Sequence, residues 1–181
     1  ASGTITIDAD NAGSTADVFM ADGAVIDAGS GIIDIDASVD VTLGSLVTTT
    51  EVQINALSGA IIDGGDTDAD ITASTVALRA ASGVGTDSDS LETVSDVTTT
   101  SLVLSVLTES GDIHVVNSGH LIVGTVDGLS GIEISDSASG GDDSGADNVT
   151  LVSGSPLTVN NDVTNSDGGN ITLTATDSGA A

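Results

Sequence analysis

Apolar and polar residues alternate in short bursts along the whole chain. In Thr4-Ile5-Thr6-Ile7 the isoleucines fall on one face and the threonines on the other. Asp112-Ile113-His114-Val115, Asn148-Val149-Thr150-Leu151 and Asn170-Ile171-Thr172-Leu173 follow the same rule. A period of two means a strand with one buried and one wet face. Sixteen such runs, from Thr4–Ile7 to Ile171–Leu173, are spread over 181 residues. No segment carries an apolar period of 3.6, so the expected fold is all-β with essentially no helix.

The runs are bracketed by Ser-Gly or Gly-Gly pairs, as in SGTITIDA, SGIIDIDAS, LSGAIID, LSGIEISDS and GGNITLTA. Glycine accepts the positive φ of a tight corner, and neighbouring Ser and Asp satisfy backbone groups there. An antiparallel sandwich and a parallel β-solenoid both use such runs. Three features favour the solenoid. Strong hairpin signals are sparse, with Asp-Gly only at Asp22-Gly23, Asp63-Gly64, Asp127-Gly128 and Asp167-Gly168. The strands are short and numerous. Segments also repeat: VTTTEVQINALSGAI (47–61) aligns with VTTTSLVLSVLTESGDI (97–113). Stacked Thr, Ser and Asn in such copies would form ladders along the axis. With ~20 residues per coil and strands ~4.8 Å apart, the expectation is a parallel β-helix of about nine coils and roughly 40 Å. SGTITIDAD (2–10) also matches GGNITLTAT (168–176), so the two ends read as equivalent and residues 1–181 as one unit of a tandem or polymeric array.

Composition sharpens this picture. The chain has one Phe (Phe19), one Met (Met20), one Pro (Pro156) and neither Trp nor Tyr. Its core must be built from Val, Ile, Leu and Ala, which suits thin layers of small side chains. There are 28 carboxylates, 24 of them Asp, against the single cation Arg79, for a net charge of −27. That balance opposes binding to nucleic acid or anionic membrane. It also destabilises the compact state unless salt or cations screen it, which implies a saline or calcium-containing medium. There is no Cys, and no apolar run is long enough to span a bilayer.

ITASTVALRAASGVGT (71–86), SGDIHVVNSGHLIVGTVDGLSG (110–131), NVTLVSGSPLTVNNDVT (148–164) and GGNITLTATDSGA (168–180) are similar to the repeat regions of giant bacterial surface exoproteins. These are the filamentous-haemagglutinin-like and large adhesin beta-strand-repeat proteins. The resemblance implies a right-handed parallel β-helix, export to the cell surface, and a stalk or fibre role. The family's Asn-Pro-Asn-Gly secretion element is absent, which places the chain in the interior of a shaft.

Catalysis is not expected. Carbohydrate-cleaving β-helices combine carboxylates with Lys or Arg, and pairs such as Asp34/Asp36, Asp66/Asp68 and Asp142/Asp143 lack a cationic partner in sequence. His114 and His120 read as surface residues on neighbouring coils rather than metal ligands. Arg79 is expected to pair with an Asp of an adjacent coil, and Phe19 and Met20 to fill the core or cap an end. The strongest chemical signal is DGGDTDAD (63–70), where Asp63, Asp66, Asp68 and Asp70 are spaced like the start of a Ca²⁺ loop. DADNAGSTAD (8–17) and GGDDSGAD (140–147) are weaker versions.

The leading expectation is a non-catalytic, extracellular fibre or adhesin shaft. Its partners would be further copies or neighbouring repeat units stacked end to end, with cations on its acidic surface. The alternative is an adhesin module gripping glycan or another cell, against which the shortage of aromatics counts. Ice binding would need a flat Thr face, suggested only by Thr48–Thr50 and Thr98–Thr100.

Overall fold

A computed structural model describes residues 3–10, 13, 15–65, 67–96, 101–136 and 146–176. It is all-β, with no helix among the described residues. Of the nineteen strands among the described residues, β1–β19 in chain order, all but two form three columns. The first holds β1 (Ile5–Ala9), β4 (Ile33–Ala37), β7 (Glu51–Ala56), β10 (Thr75–Ala80), β12 (Ser101–Thr108), β16 (Ile132–Ile134) and β18 (Val163–Asn165). The second holds β2 (Val18–Phe19), β5 (Val41–Leu43) and β8 (Ile61–Asp63), and continues through Val84 to Ile113. The third holds β3 (Val25–Gly29), β6 (Ser45–Thr48), β9 (Ile71–Ala73), β11 (Leu91–Ser95), β13 (Ile113–Val123), β17 (Val149–Val159) and β19 (Ile171–Thr176). In β13 and β17 one long strand runs through all three columns: Ile113 continues the second, Val115–Asn117 pair with β11 in the third, and His120–Val123 pair with Ser101–Leu104 of β12 in the first. The remaining pair, β14 (Thr125–Val126) and β15 (Leu129–Ser130), is an antiparallel hairpin.

Every ladder except that hairpin is parallel, and each strand pairs with its counterpart one coil later. This is the architecture of a parallel β-helix, and it excludes the antiparallel sandwich. The first column contains seven strands, fewer than the nine coils expected, because most of the coils are longer than ~20 residues. Register partners are 19 residues apart at Ile33 and Val52 but 36 apart at Ile113 and Val149. β1 and β19, alike in sequence, stand in different columns, β1 in the first and β19 across the second and third.

The alternation becomes rows of stacked identical positions. Ile7, Ile35, Ile54, Leu78, Val106 and Ile132 follow one another along the axis in the first column. Beside them run Ala9, Ala37, Ala56 and Ala80. Ile33, Ile35, Ile54, Leu78, Leu104 and Val106 have no solvent exposure. Polar ladders are present too, and one of them lies inside. Thr93, Asn117 and Ser153 are buried in register in the third column. Thr93 donates to Asn117 Oδ1 (3.2 Å), and Asn117 Nδ2 (2.6 Å) and Ser153 Oγ (3.0 Å) both donate to the Gly119 carbonyl.

The corners are bound from coil to coil. Asp17 Oδ1 accepts from the Asp40 amide (3.1 Å), Asp40 Oδ1 from Ala60 (2.8 Å), and Asp112 Oδ1 from Asn148 (2.6 Å). Asn148 Oδ1 accepts from Asn170 (3.0 Å). Each acceptor precedes the first inward residue of its strand, so Asp and Asn side chains cap the next coil there. The bracketing glycines serve two needs. Gly111 has φ +77°, the left-handed region that glycine tolerates. At Gly31 the need is space, because a Cβ there would sit 1.8 Å from the Gly3 carbonyl oxygen of the coil beneath.

The hairpin β14–β15 turns on Asp127-Gly128, with φ +48° and +71°, the values of a type I′ turn. It packs against β12 and β10 and buries Ala77 and Ser105, which point outward from the first column. Arg79 is held by this hairpin. Its guanidinium donates to Asp127 Oδ2 (3.0 Å) and to the Asp127 carbonyl (2.8 Å), 48 residues along the chain. Met20 is buried, whereas Phe19 is 74% exposed and fills no core.

Among the described residues one buried hydroxyl lacks a partner: Thr108 Oγ1, in the inward row between Ala80 and Ile134. Replacing it with an isosteric methyl removes a desolvation cost without leaving a void. Thr108→Val is expected to raise unfolding stability by ~1–2 kcal/mol. A shift of the urea midpoint at constant slope would measure it, and a lower midpoint would show that the hydroxyl is satisfied.

Candidate metal centre

The corner between the second and third columns brings acidic side chains from two successive coils together. Asp63 ends β8 at an inward position, in register with Leu43 of the coil below. Asp70 directly precedes β9. The loop between them, DGGDTDAD, is long enough for both carboxylates to turn back into the corner. Glu92 arrives from the next coil, on β11. The β9–β11 register sets Ile71 opposite Thr93 and so places Asp70 beside Glu92.

Oxygens of Asp63, Asp70 and Glu92 all lie within 4.8 Å of one another. Asp63 is 4% exposed and Asp70 2% exposed; Glu92 is half-buried. The backbone clamps the arrangement. Asp70 N–H donates to the Glu92 carbonyl (3.0 Å), and Glu92 N–H donates to Asp70 Oδ2 (2.7 Å). Asp63 Oδ1 accepts from the Gly65 amide (3.1 Å), while its buried Oδ2 has no hydrogen-bond donor.

The electrostatic cost falls on Asp70. Burial above all, then the Asp63 carboxylate and Glu92, push its carboxyl up to about 8, outweighing the lowering effect of the Glu92 amide. A proton on Asp70 would also give Asp63 a partner. The chain's one Arg is engaged with Asp127, so compensation must come from protons or from a cation.

Of the residues expected to bind Ca²⁺, the structure joins Asp63 and Asp70. Asp68 is exposed and stands outside the cluster; Asp66 lies outside the described residues. Glu92 was not legible as a ligand, because it is 22 residues from Asp70 and only the coil register brings it close. Of the weaker acidic segments, Asp17 serves the corner ladder, and residues 140–145 lie outside the described residues.

The histidines occupy one strand, β13, not neighbouring coils. His114 Nδ1 is 2.6 Å from the Thr86 carbonyl, which only accepts, so that nitrogen carries the proton. Ser90 Oγ is 3.0 Å away, and the ring thus pins the 86–90 loop. His120 Nε2 contacts Thr158 Oγ1 at 3.2 Å. Thr48 is buried and bonded to the Gly31 carbonyl, so it is not part of a flat outer Thr face; Thr98–Thr100 lie outside the described residues. Four surface depressions hold about 100 to 260 Å³, below the ~300–1,000 Å³ of a typical small-molecule site. No protein family, curated protein or solved structure matches the chain.

Proposed function

We propose that this protein is a non-catalytic structural segment, the shaft of an extracellular fibre or surface adhesin, in which right-handed coils of neighbouring units, further copies or tandem units of one array, stack end to end. One observation carries this reading: the core rows run through to β19, and among the described residues nothing covers them there. Ile113, Val149 and Ile171 form one row, and Val115, Leu151 and Leu173 the next. The first two members of each are fully buried, but Ile171 is 43% and Leu173 38% exposed. Among the described residues β19 pairs only with β17, and β18 only with β16, so their outer edges retain backbone donors and acceptors that another strand can use.

The phase of the columns suits the same occupant. The path runs from column one through two to three and back to one. A second copy with its β1 on β18 and its β2 on β19 continues every column without a break. Such a contact is heterologous and does not close, so it generates a filament. Resemblance to surface exoprotein repeats and the acidic, repulsive sides point the same way, since like charge opposes lateral clumping.

Electron microscopy at increasing protein concentration tests it. The expected result is thin unbranched filaments with an axial repeat of ~34 Å, seven strand spacings of ~4.8 Å. Isolated particles at every concentration would overturn the stacking reading.

A further inference from the structure

We propose that Asp63, Asp70 and Glu92 form a specific Ca²⁺ site that ties two successive coils together at the corner of the β-helix. The inference goes beyond the shaft reading and holds whether or not copies stack.

Two independent observations support it. First, the geometry fits one ion. Calcium binds oxygens at ~2.3–2.6 Å, so two of its ligands stand at most ~5 Å apart. The three carboxylates meet that limit, with oxygens within 4.8 Å of one another. Second, Asp63 Oδ2 is a buried carboxylate oxygen with no hydrogen-bond donor, on a side chain 4% exposed and turned into the cluster. An uncompensated buried carboxylate oxygen is costly. A cation at the centre gives it a partner.

The donor set selects the metal class. All three ligands are carboxylates, with neither His nor Cys in the cluster, which favours a hard cation over Zn²⁺ or Cu²⁺. Calcium takes six to eight oxygens in flexible geometry, whereas Mg²⁺ demands a near-ideal octahedron and keeps its water. Water would complete the calcium shell around the three carboxylates.

The test is calorimetric titration of Ca²⁺ into the whole chain, after chelation and dialysis, in 150 mM NaCl to suppress diffuse binding to the acidic surface. One saturable site per chain is expected, weakened at least ~10-fold in Asp63→Asn and in Glu92→Gln. Asp68→Asn should bind as the parent does. Both ligand variants replace a carboxylate with a neutral group of the same shape, and circular dichroism verifies that they fold. Equal binding by parent and Asp63→Asn, or binding that never saturates, would overturn the proposal.

Discussion

In a chelating buffer the protein is expected to lose stability as pH rises from about 4 to about 8. Asp70 is the cause. Its carboxyl is pushed up to about 8 in the folded state, from an ordinary value of 3.8. Between those limits the folded chain holds a proton that the unfolded chain has released. Stability then falls with pH, because the native state binds more protons. The slope is ~1.4 kcal/mol per pH unit in the middle of the window, and the whole effect is on the order of 5 kcal/mol. Above about 8 the contribution is flat, as it is below about 4. Asp34, raised by burial and by its neighbours Asp36 and Asp127, adds a smaller effect of the same sign. Denaturant midpoints at pH 5, 6, 7 and 8 measure the slope. Asp70→Asn should flatten it and make the protein more stable than the parent at pH 8. A parent whose midpoint rises across this window would show that Asp70 is ionised and otherwise compensated.

Ile54→Ala is expected to cost ~3–5 kcal/mol, the upper part of the usual range for such truncations. Ile54 has no exposure and lies between Ile35 and Leu78 of the adjoining coils. The size of the cost depends on how well neighbours can fill the void. Here they are poorly suited. Much of the core is Val and Ile, whose branched side chains have few rotamers. The one Met, the residue most able to adapt, belongs to the β2 end of the molecule. The coils cannot approach more closely because the hydrogen-bonded ladders fix their spacing. Equilibrium unfolding of the variant gives the figure, and a loss below about 1 kcal/mol would mean that this row is loosely packed.

The strands themselves were legible because alternation is a local property. Ile5 and Ile7, Ile33 and Ile35, or Val149 and Leu151 declare the inward face without reference to any neighbour. The coil period was not legible, because one phrase serves more than one column. Ser-Gly introduces β4 and β16 in the first column and β8 and β13 in the second. Aligning these phrases therefore finds resemblance without finding register. Asp127-Gly128 carried the hairpin signal, but one Asp-Gly pair among four gives no reason to choose it. Asp63 and Asp70 stood out in a short acidic loop, while Glu92 required knowing that Thr93 stacks on Ile71. Asp17, Asp40 and Asp112 look like loop acids in sequence; their partners, the amides of the next coil, appear only once the chain is wound.

The unequal coils also bear on mechanical load. Tension along the axis of a stacked ladder acts on one boundary coil at a time, since each coil is bonded chiefly to its immediate neighbours. A coil that peels away releases all of its chain. At ~3.4 Å per residue, the 19-residue coil yields about 65 Å and the 36-residue coil about 120 Å. A β-helix of this design under tension would lengthen in discrete steps of different sizes, dissipating a tug in stages while the coils behind the break stay folded.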